Sequence, residues 1–452
     1  MWHTLWPIVF YRQSAMHVAI VGAGVVGMTT AWRLASEGHE VTVLERRDGP
    51  GEETSFANGG QLSYSYVAPL AGPGVLSKVP GWLLRRDSPM RFRPSADPAQ
   101  WRWLLAFARA CNAGTSDATT RKLLRLAFHS RDLMQAFVHG DEAQHEETLG
   151  HVPGGGFDFA RRGKLIVHRD AAAFDAARRL LDYQASLGCE QLALDRDACV
   201  ALEPALERIR GEIAGAIHTP SEEVGDCHRF CVALARLLQG RPAVRLRFGT
   251  RVTGLKRTGA NGSTRVTGVH TADGDIDADA VVVAGGIGSV PLLRPTGVRP
   301  MLWPLKGYSI TVPIADGMRA PHISVTDFAN KIVYARIGNT LRVAGMADLV
   351  RGGPTIDGER VAALAAQTHA VFGIGGGIEA EQDALQPWAG LRPATPSGLP
   401  LIGESRVRGL WLNLGHGALG FTLAMGSASL LADAMAGRES AMDARDFSAL
   451  AA

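Results

Sequence analysis

The chain has 452 residues, 46% of them hydrophobic and 20% charged, and 47 basic against 44 acidic side chains give a formal charge of +3. That length supplies two or three domain-sized cores, and the apolar content excludes a disordered chain or a coiled coil. The near-neutral balance excludes a dedicated nucleic-acid binder, so no nucleic-acid partner is expected. Five scattered cysteines (Cys111, Cys189, Cys199, Cys227, Cys231) fit reduced thiols in the cytoplasm better than a disulfide framework.

Residues 1–15 differ in texture from the rest of the chain. They lack the basic start and small-residue cleavage site of a signal peptide, and read as a tail or a mis-annotated start ahead of Met16. His17 to Val21 then reads as a buried parallel strand, Val25 to Glu37 as a helix stopped by Gly38, and Val41 to Glu45 as a second strand. This is one βαβ unit. Its first turn, Gly22-Ala23-Gly24-Val25-Val26-Gly27, matches G-x-G-x-x-G. With 53 glycines in the chain, roughly 0.7 such matches arise by chance, so the context carries the inference. Gly22 permits the turn, Gly24 lets a pyrophosphate approach the backbone, and Gly27 lets the helix pack on the strand. The first helical amides meet the phosphates, and Glu45 accepts the ribose hydroxyls. The motif predicts dinucleotide binding and leaves open which dinucleotide.

Helical spacing continues over Ala99 to Cys111, Ala118 to His139 and Cys227 to Leu238. Val244 to Phe248 and Arg251 to Leu255 read as extended, and Ala278 to Val283 as a buried strand running into Ala284-Gly285-Gly286. Tyr308 to Pro313, Lys331 to Arg336 and Leu341 to Gly345 alternate as strands of an antiparallel sheet. Gly409 to Leu414 is a last strand and Gly420 to Met435 a long apolar helix. The interleaved textures predict a nucleotide domain assembled from three segments, with a second domain inserted. Between the last strand and helix, Gly415 to Gly420 repeats the glycine spacing without a βαβ unit after it. Bare amides there suit an electron-rich ligand edge, such as the pyrimidine end of a flavin, or simply close packing. Other patterns fail: His145-Glu146 has Leu149 where a zinc motif needs His, and Gly163-Lys164 has Leu165 where a phosphate loop needs Ser or Thr. Cys227, His228 and Cys231 lack a partner pair for zinc.

From about Met16 to Arg438 the chain resembles the D-amino-acid, glycine and sarcosine oxidase family, and within it the bacterial FAD-dependent D-amino-acid dehydrogenases of small-subunit type. The resemblance rests on Val18 to Trp32, Glu45-Arg46, the loop Thr54 to Gln61, Pro304 to Ser309, Gly390 to Pro396 and Leu414 to Thr422. It implies an α/β fold, a Rossmann-like FAD-binding domain with an inserted α+β substrate domain. The expected FAD domain comprises 16–75, 195–298 and 388–452, and the substrate domain 76–194 and 299–387.

Carried over by position, Gly22, Gly24, Gly27, Glu45 and Arg46 would hold the ADP half of FAD, and Val18, Ala23, Val25, Val26 and Trp32 would also belong to the cofactor site. Val252 would contact the adenine side, and Ala284 and Gly285 would pass the diphosphate. Ala57, Asn58, Gly59 and Gln61 would run beside the isoalloxazine, and Gly417, Leu419, Gly420, Phe421 and Thr422 would meet its O2/N1 edge. Arg392 would bind the substrate carboxylate, the task for which a planar double donor is suited. Tyr308 would join the pocket and Lys306 would approach the flavin.

The implied activity is oxidative deamination of D-amino acids to 2-oxo acids, with electrons passed to a quinone or other acceptor. Ala394, Ser397 and Phe421 depart from the Met, Asp and Trp frequent at those positions, which leaves open D-proline derivatives as substrates. A glycine or sarcosine type oxidase and a non-catalytic electron-transfer subunit are the rival readings. Trp82 to Arg86 and Trp101 to Leu105 mix apolar, aromatic and basic residues, as segments at a membrane surface do. With the resemblance they imply peripheral contact with the inner membrane, and a partner subunit stays open.

Overall fold

A computed structural model describes residues 15–77, 88–139, 156–259, 264–349, 352–374 and 385–451. Residues 1–14 of the expected tail, Trp82 to Arg86 and the pair His145-Glu146 lie outside the described residues.

Strand β1 (His17–Val21), helix α1 (Val25–Ser36) and strand β2 (Glu40–Leu44) form the first unit. β1 is the third strand of a six-stranded sheet in the order Val244–Arg247, β2, β1, Ala280–Val283, Leu410–Leu414, Leu401–Glu404. All neighbours are parallel except the last pair. After His17, β1 is apolar from Val18 to Val21 because both faces are covered. Val18 and Ile20 enter the core under the helices, whereas Ala19 packs into a second core under the three-stranded sheet of residues 252–277.

Helix α2 (Ala113–His139) lies on the helical face of this sheet, against helix α3 (Gly420–Met435). Leu123, Leu126, Met134 and Phe137 face the same core as Met28 and Leu431. Gly426 allows the close crossing, since a Cβ there would stand 2.8 Å from the Leu126 carbonyl oxygen. With the turn before it, α3 forms a stretch, Gly417–Met435, that is apolar and long enough to cross a membrane, yet 78% of its most apolar part is buried inside the protein.

The second sheet has nine strands. Strand β3 (Lys164–His168) pairs with Gly215–Thr219 on one side and Ser324–Asp327 on the other. Beyond Ile332–Ile337 come the long strands β4 (Trp303–Pro313), β5 (Thr340–Leu349) and β6 (Gln386–Ala394), with β4 between β5 and β6. Most pairings are antiparallel, but β3 with Ser324–Asp327 and Met90–Phe92 with β5 are parallel.

The expected domain limits differ from this topology in three places, one of them β6, whose residues 388–394 fall within the expected FAD domain but belong to the nine-stranded sheet. Residues 113–139, assigned to the inserted domain, pack in the core of the six-stranded sheet. Residues 195–219, assigned to the FAD domain, carry Leu206, Ile209 and Ala216 into the core of the nine-stranded sheet, where Gly215–Thr219 is a member strand. Apolar periodicity announces that a helix is half buried but not which sheet covers it.

Candidate active site

Between the two sheets lies one continuous cavity of about 1390 Å³, larger than the ~300–1,000 Å³ of an ordinary small-molecule site. At one end the turn after β1 has Gly22 at φ +108, and a Cβ there would come within 2.8 Å of Gly285 Cα. A Cβ on Gly27 would overlap the Gly22 carbonyl oxygen, so α1 rests directly on the turn. Gly24 supplies no side-chain cap to α1, and Ser55 Oγ accepts from the Val25 amide at 3.1 Å; Gly24, Val25 and Val26 at this positive end of the helix line the cavity. Glu45 is fixed at the tip of β2, accepting from the Ala23 amide at 2.8 Å and the Arg47 amide at 3.0 Å. Arg46 pairs with Glu53, whose hydrogen bond raises the guanidinium above its usual value. This end suits a dinucleotide diphosphate and ribose.

Toward the other end, the loop of residues 54–61 crosses under the nine-stranded sheet and is pinned at several points. Thr54 donates to the Leu391 carbonyl at 3.0 Å, Ser309 to the Ala57 carbonyl at 2.6 Å, and Arg342 to the Asn58 carbonyl at 2.8 Å. Opposite it, Gly415 and Gly417 take φ +86 and +55 and deliver the uncapped start of α3 to the cavity wall. Thr422 accepts from the Ser63 amide at 3.2 Å. His416 is buried behind the turn, bonded to Ser427 at 2.8 Å, and burial pushes its imidazole down to about 3.

Arg392 on β6 is on the face shared with Leu305 and Gly307 of β4. Its guanidinium lies over Gly307, where any Cβ would overlap it. Nη1 donates to the Met346 carbonyl at 2.9 Å, and no carboxylate pairs with the group among the described residues. Burial lowers its pKa, and Asp348 opposes the shift from a distance. A desolvated cation with most of its donors unspent is a site for an anion.

Two expected pocket residues turn elsewhere. Tyr308 borders the cavity, but it stands opposite Ala389, on the other face of β4 from Arg392. Its hydroxyl donates to Asp348 at 3.0 Å, and Asp348 forms a buried ion pair with Arg360 at 2.5 Å. Lys306 lies on that far face as well and donates to the Thr355 carbonyl and hydroxyl, both at 3.0 Å. Strand alternation, which a motif match does not weigh, puts both away from the chamber under Arg392.

Of the residues expected at the cofactor, Gly22, Gly24, Val25, Val26, Glu45, Arg46, Asn58, Gly59, Gln61, Val252, Ala284, Gly285, Gly417, Leu419, Gly420, Phe421 and Thr422 line the cavity. Val18, Ala23, Gly27, Trp32 and Ala57 do not. Val18 is inside the sheet core, Ala23 and Gly27 pack the turn, and Ala57 offers its carbonyl to Ser309. Trp32 is on the outer side of α1, 4.4 Å under the Arg241 guanidinium and edge-on to Phe137. Lys164, Tyr66, Met346 and Trp388 line the cavity from outside the expected set. Only Lys164 has a signal in the sequence, and there it belongs to a failed phosphate loop.

Comparison with known proteins agrees with this geometry. A family model described as FAD dependent oxidoreductase matches residues 17–434. D-amino acid dehydrogenase 2 of Ralstonia nicotianae is 56% identical over 437 residues, covering 96% of this chain and 99% of that protein. D-amino acid dehydrogenase 2 of Pseudomonas aeruginosa is 48% identical, covering 95% and 97%. Among solved structures, glycine oxidase from Geobacillus kaustophilus matches with a TM-score of 0.72 at 21% identity, covering 96% and 98%. L-proline dehydrogenase from P. horikoshii matches with a TM-score of 0.70 at 17% identity, covering 96% and 97%. These two share the fold.

Proposed function

The chain belongs to the FAD dependent oxidoreductase family, and we propose that it oxidises D-amino acids of the D-alanine kind to 2-oxo acids and ammonia. The observation that carries this reading is the Arg392 guanidinium, desolvated over Gly307 and without a carboxylate partner among the described residues, on the wall of a cavity shaped for a dinucleotide. FAD, when bound, supplies the acceptor for a hydride.

The chain's residues supply binding, orientation and field. Glu45, the Gly22 turn and the amides of α1 would hold the ribose and diphosphate. The start of α3 would face the electron-rich pyrimidine edge, where a helix N-terminus carries roughly half a positive charge. Arg392 offers parallel N–H donors to the substrate carboxylate, and this grip turns the α-hydrogen of one enantiomer toward the acceptor. The substrate loses that hydrogen as hydride and one proton from its ammonium group. The imino acid formed takes up water and breaks into the 2-oxo acid and ammonia. The Tyr308 hydroxyl is assigned no step, because it is bonded to Asp348.

The electron acceptor is a quinone or a similar small oxidant in this reading, met at the surface of the inner membrane. The surface helix Pro98–Ala110 leaves Trp101 and Leu105 about half exposed, which supports such contact. Anaerobic titration of the yellow protein tests the proposal: D-alanine should bleach the flavin band and L-alanine should not. Equal bleaching by both, or by neither D-alanine nor D-proline, would remove the assignment.

A further inference from the structure

Lys164 is 2% exposed on β3, yet it belongs to the cavity wall. Its Nζ donates to Gln61 Oε1 at 3.0 Å and to Ser63 Oγ at 2.8 Å, and stands 4.5 Å from the centre of the Tyr66 ring. Gln61 is held in turn by the hydroxyl of Ser324. Because the Ser63 amide donates to Thr422 Oγ1, one serine joins this ammonium to the first turn of α3.

The carboxylate that acts on Lys164 is Glu222, 1% exposed, and no direct bond joins the two among the described residues. Glu222 is instead held by the Tyr64 and Ser65 amides, both at 2.7 Å. Burial pulls Lys164 down to about 8 and pushes Glu222 up to about 7. An ammonium kept this dry without a touching carboxylate is costly unless a further negative charge arrives. Gln61 and Ser63 offer it only neutral oxygens, and the Tyr66 ring only a quadrupole.

We propose that Lys164 is an electrostatic partner of the flavin, adding a full charge to the partial positive end of α3 where the pyrimidine edge becomes negative on reduction. The proposal rests on the reading that Gly417 to Thr422 face that edge. Glu222, tied to backbone amides, moderates the field without entering the cavity.

The experiment is equilibration of the FAD-loaded enzyme with a redox dye of known potential. Lys164→Met should move the equilibrium at least tenfold toward oxidised flavin, about 30 mV for a two-electron couple. Lys164→Arg keeps the charge and should stay within threefold of the parent. Glu222→Gln removes the moderating charge and should move the equilibrium at least threefold the other way. A Lys164→Met enzyme that retains FAD and equilibrates like the parent overturns the proposal, as does a Glu222→Gln shift toward oxidised flavin. Should neither Lys164 variant fold, the sign of the Glu222→Gln shift decides alone. Bleaching of the parent by D-alanine is measured alongside; its failure would remove the amino-acid reading and leave the dye result standing.

Discussion

The Met346 carbonyl stands 2.9 Å from Arg392 Nη1, and Met346 adopts φ +63 at this place. Pairing of β4 with β5 runs Lys306 to Asp348 and then Tyr308 to Gly345, so Gly307 faces a bulge made of Met346 and Ala347. The left-handed residue turns its carbonyl out of the ladder and onto the guanidinium. A backbone conformation that costs a non-glycine residue of order 1 kcal/mol or more is thereby tied to the orientation of one arginine.

Met346→Val tests this coupling. A β-branched residue tolerates positive φ poorly, so the bulge should reset and cost about 1–3 kcal/mol of stability. KM for D-alanine should rise at least tenfold, whereas Met346→Leu should stay within threefold of the parent. Equal KM values for the two variants would separate the carbonyl from substrate binding.

Gly307→Ala places a methyl group where the Arg392 guanidinium lies. The arginine has to leave its seat while the residues around the cofactor remain. Flavin content should stay stoichiometric and kcat/KM should fall roughly 30-fold, equivalent to about 2 kcal/mol. Steady-state rates with a dye acceptor and the flavin spectrum read both quantities on one sample.

Arg392→Ala leaves the substrate carboxylate without its partner. A loss of about 3–5 kcal/mol corresponds to two to nearly four decades in kcat/KM. Arg392→Lys should recover little, because a point charge on a flexible stem does not reproduce two parallel donors. A fall of less than fivefold for the alanine variant on D-alanine and D-proline would dismiss the carboxylate role.

His416 gives a pH dependence of stability with a definite sign. Its imidazole is pushed from 6.5 down to about 3 by burial. Between those values the unfolded chain binds the extra proton, so stability falls as the pH drops through 6.5 toward 3. At pH 5 the loss relative to pH 7 is about 2 kcal/mol. Glu222, pushed upward, works in the opposite sense, so the readout is the difference between two proteins. His416→Gln, which can still meet Ser427, should lose less stability than the parent between pH 7 and pH 5 in urea titrations.

The first βαβ unit is legible in the sequence because its strands are buried on both faces and its turn requires glycine at Gly22 for conformational reasons. The limits of the other expected helices and strands fall within a few residues, except that α2 starts at Ala113 rather than Ala118, β4 starts at Trp303 rather than Tyr308, and β5 runs on to Leu349 rather than ending at Gly345. What sequence does not disclose is facing and partnership. Trp32 lies within the fingerprint segment but points to Arg241, and Tyr308 lies within a matching motif but points to Asp348. Lys164 acquires its neighbours only when Gln61, 103 residues earlier in the chain, is brought beside it. The bulge at Met346 depends on pairing between strands whose register no local pattern specifies.

Strand Leu410–Leu414 sits inside the six-stranded sheet, between Ala280–Val283 and the hairpin partner Leu401–Glu404. A growing polypeptide on the ribosome therefore leaves a naked edge along Ala280–Val283 until about the last tenth of translation. The helix that seats against α2 emerges later still. Release of a chain halted at residue 405 should yield protein that retains no yellow colour, and cofactor capture becomes one of the final events of biosynthesis.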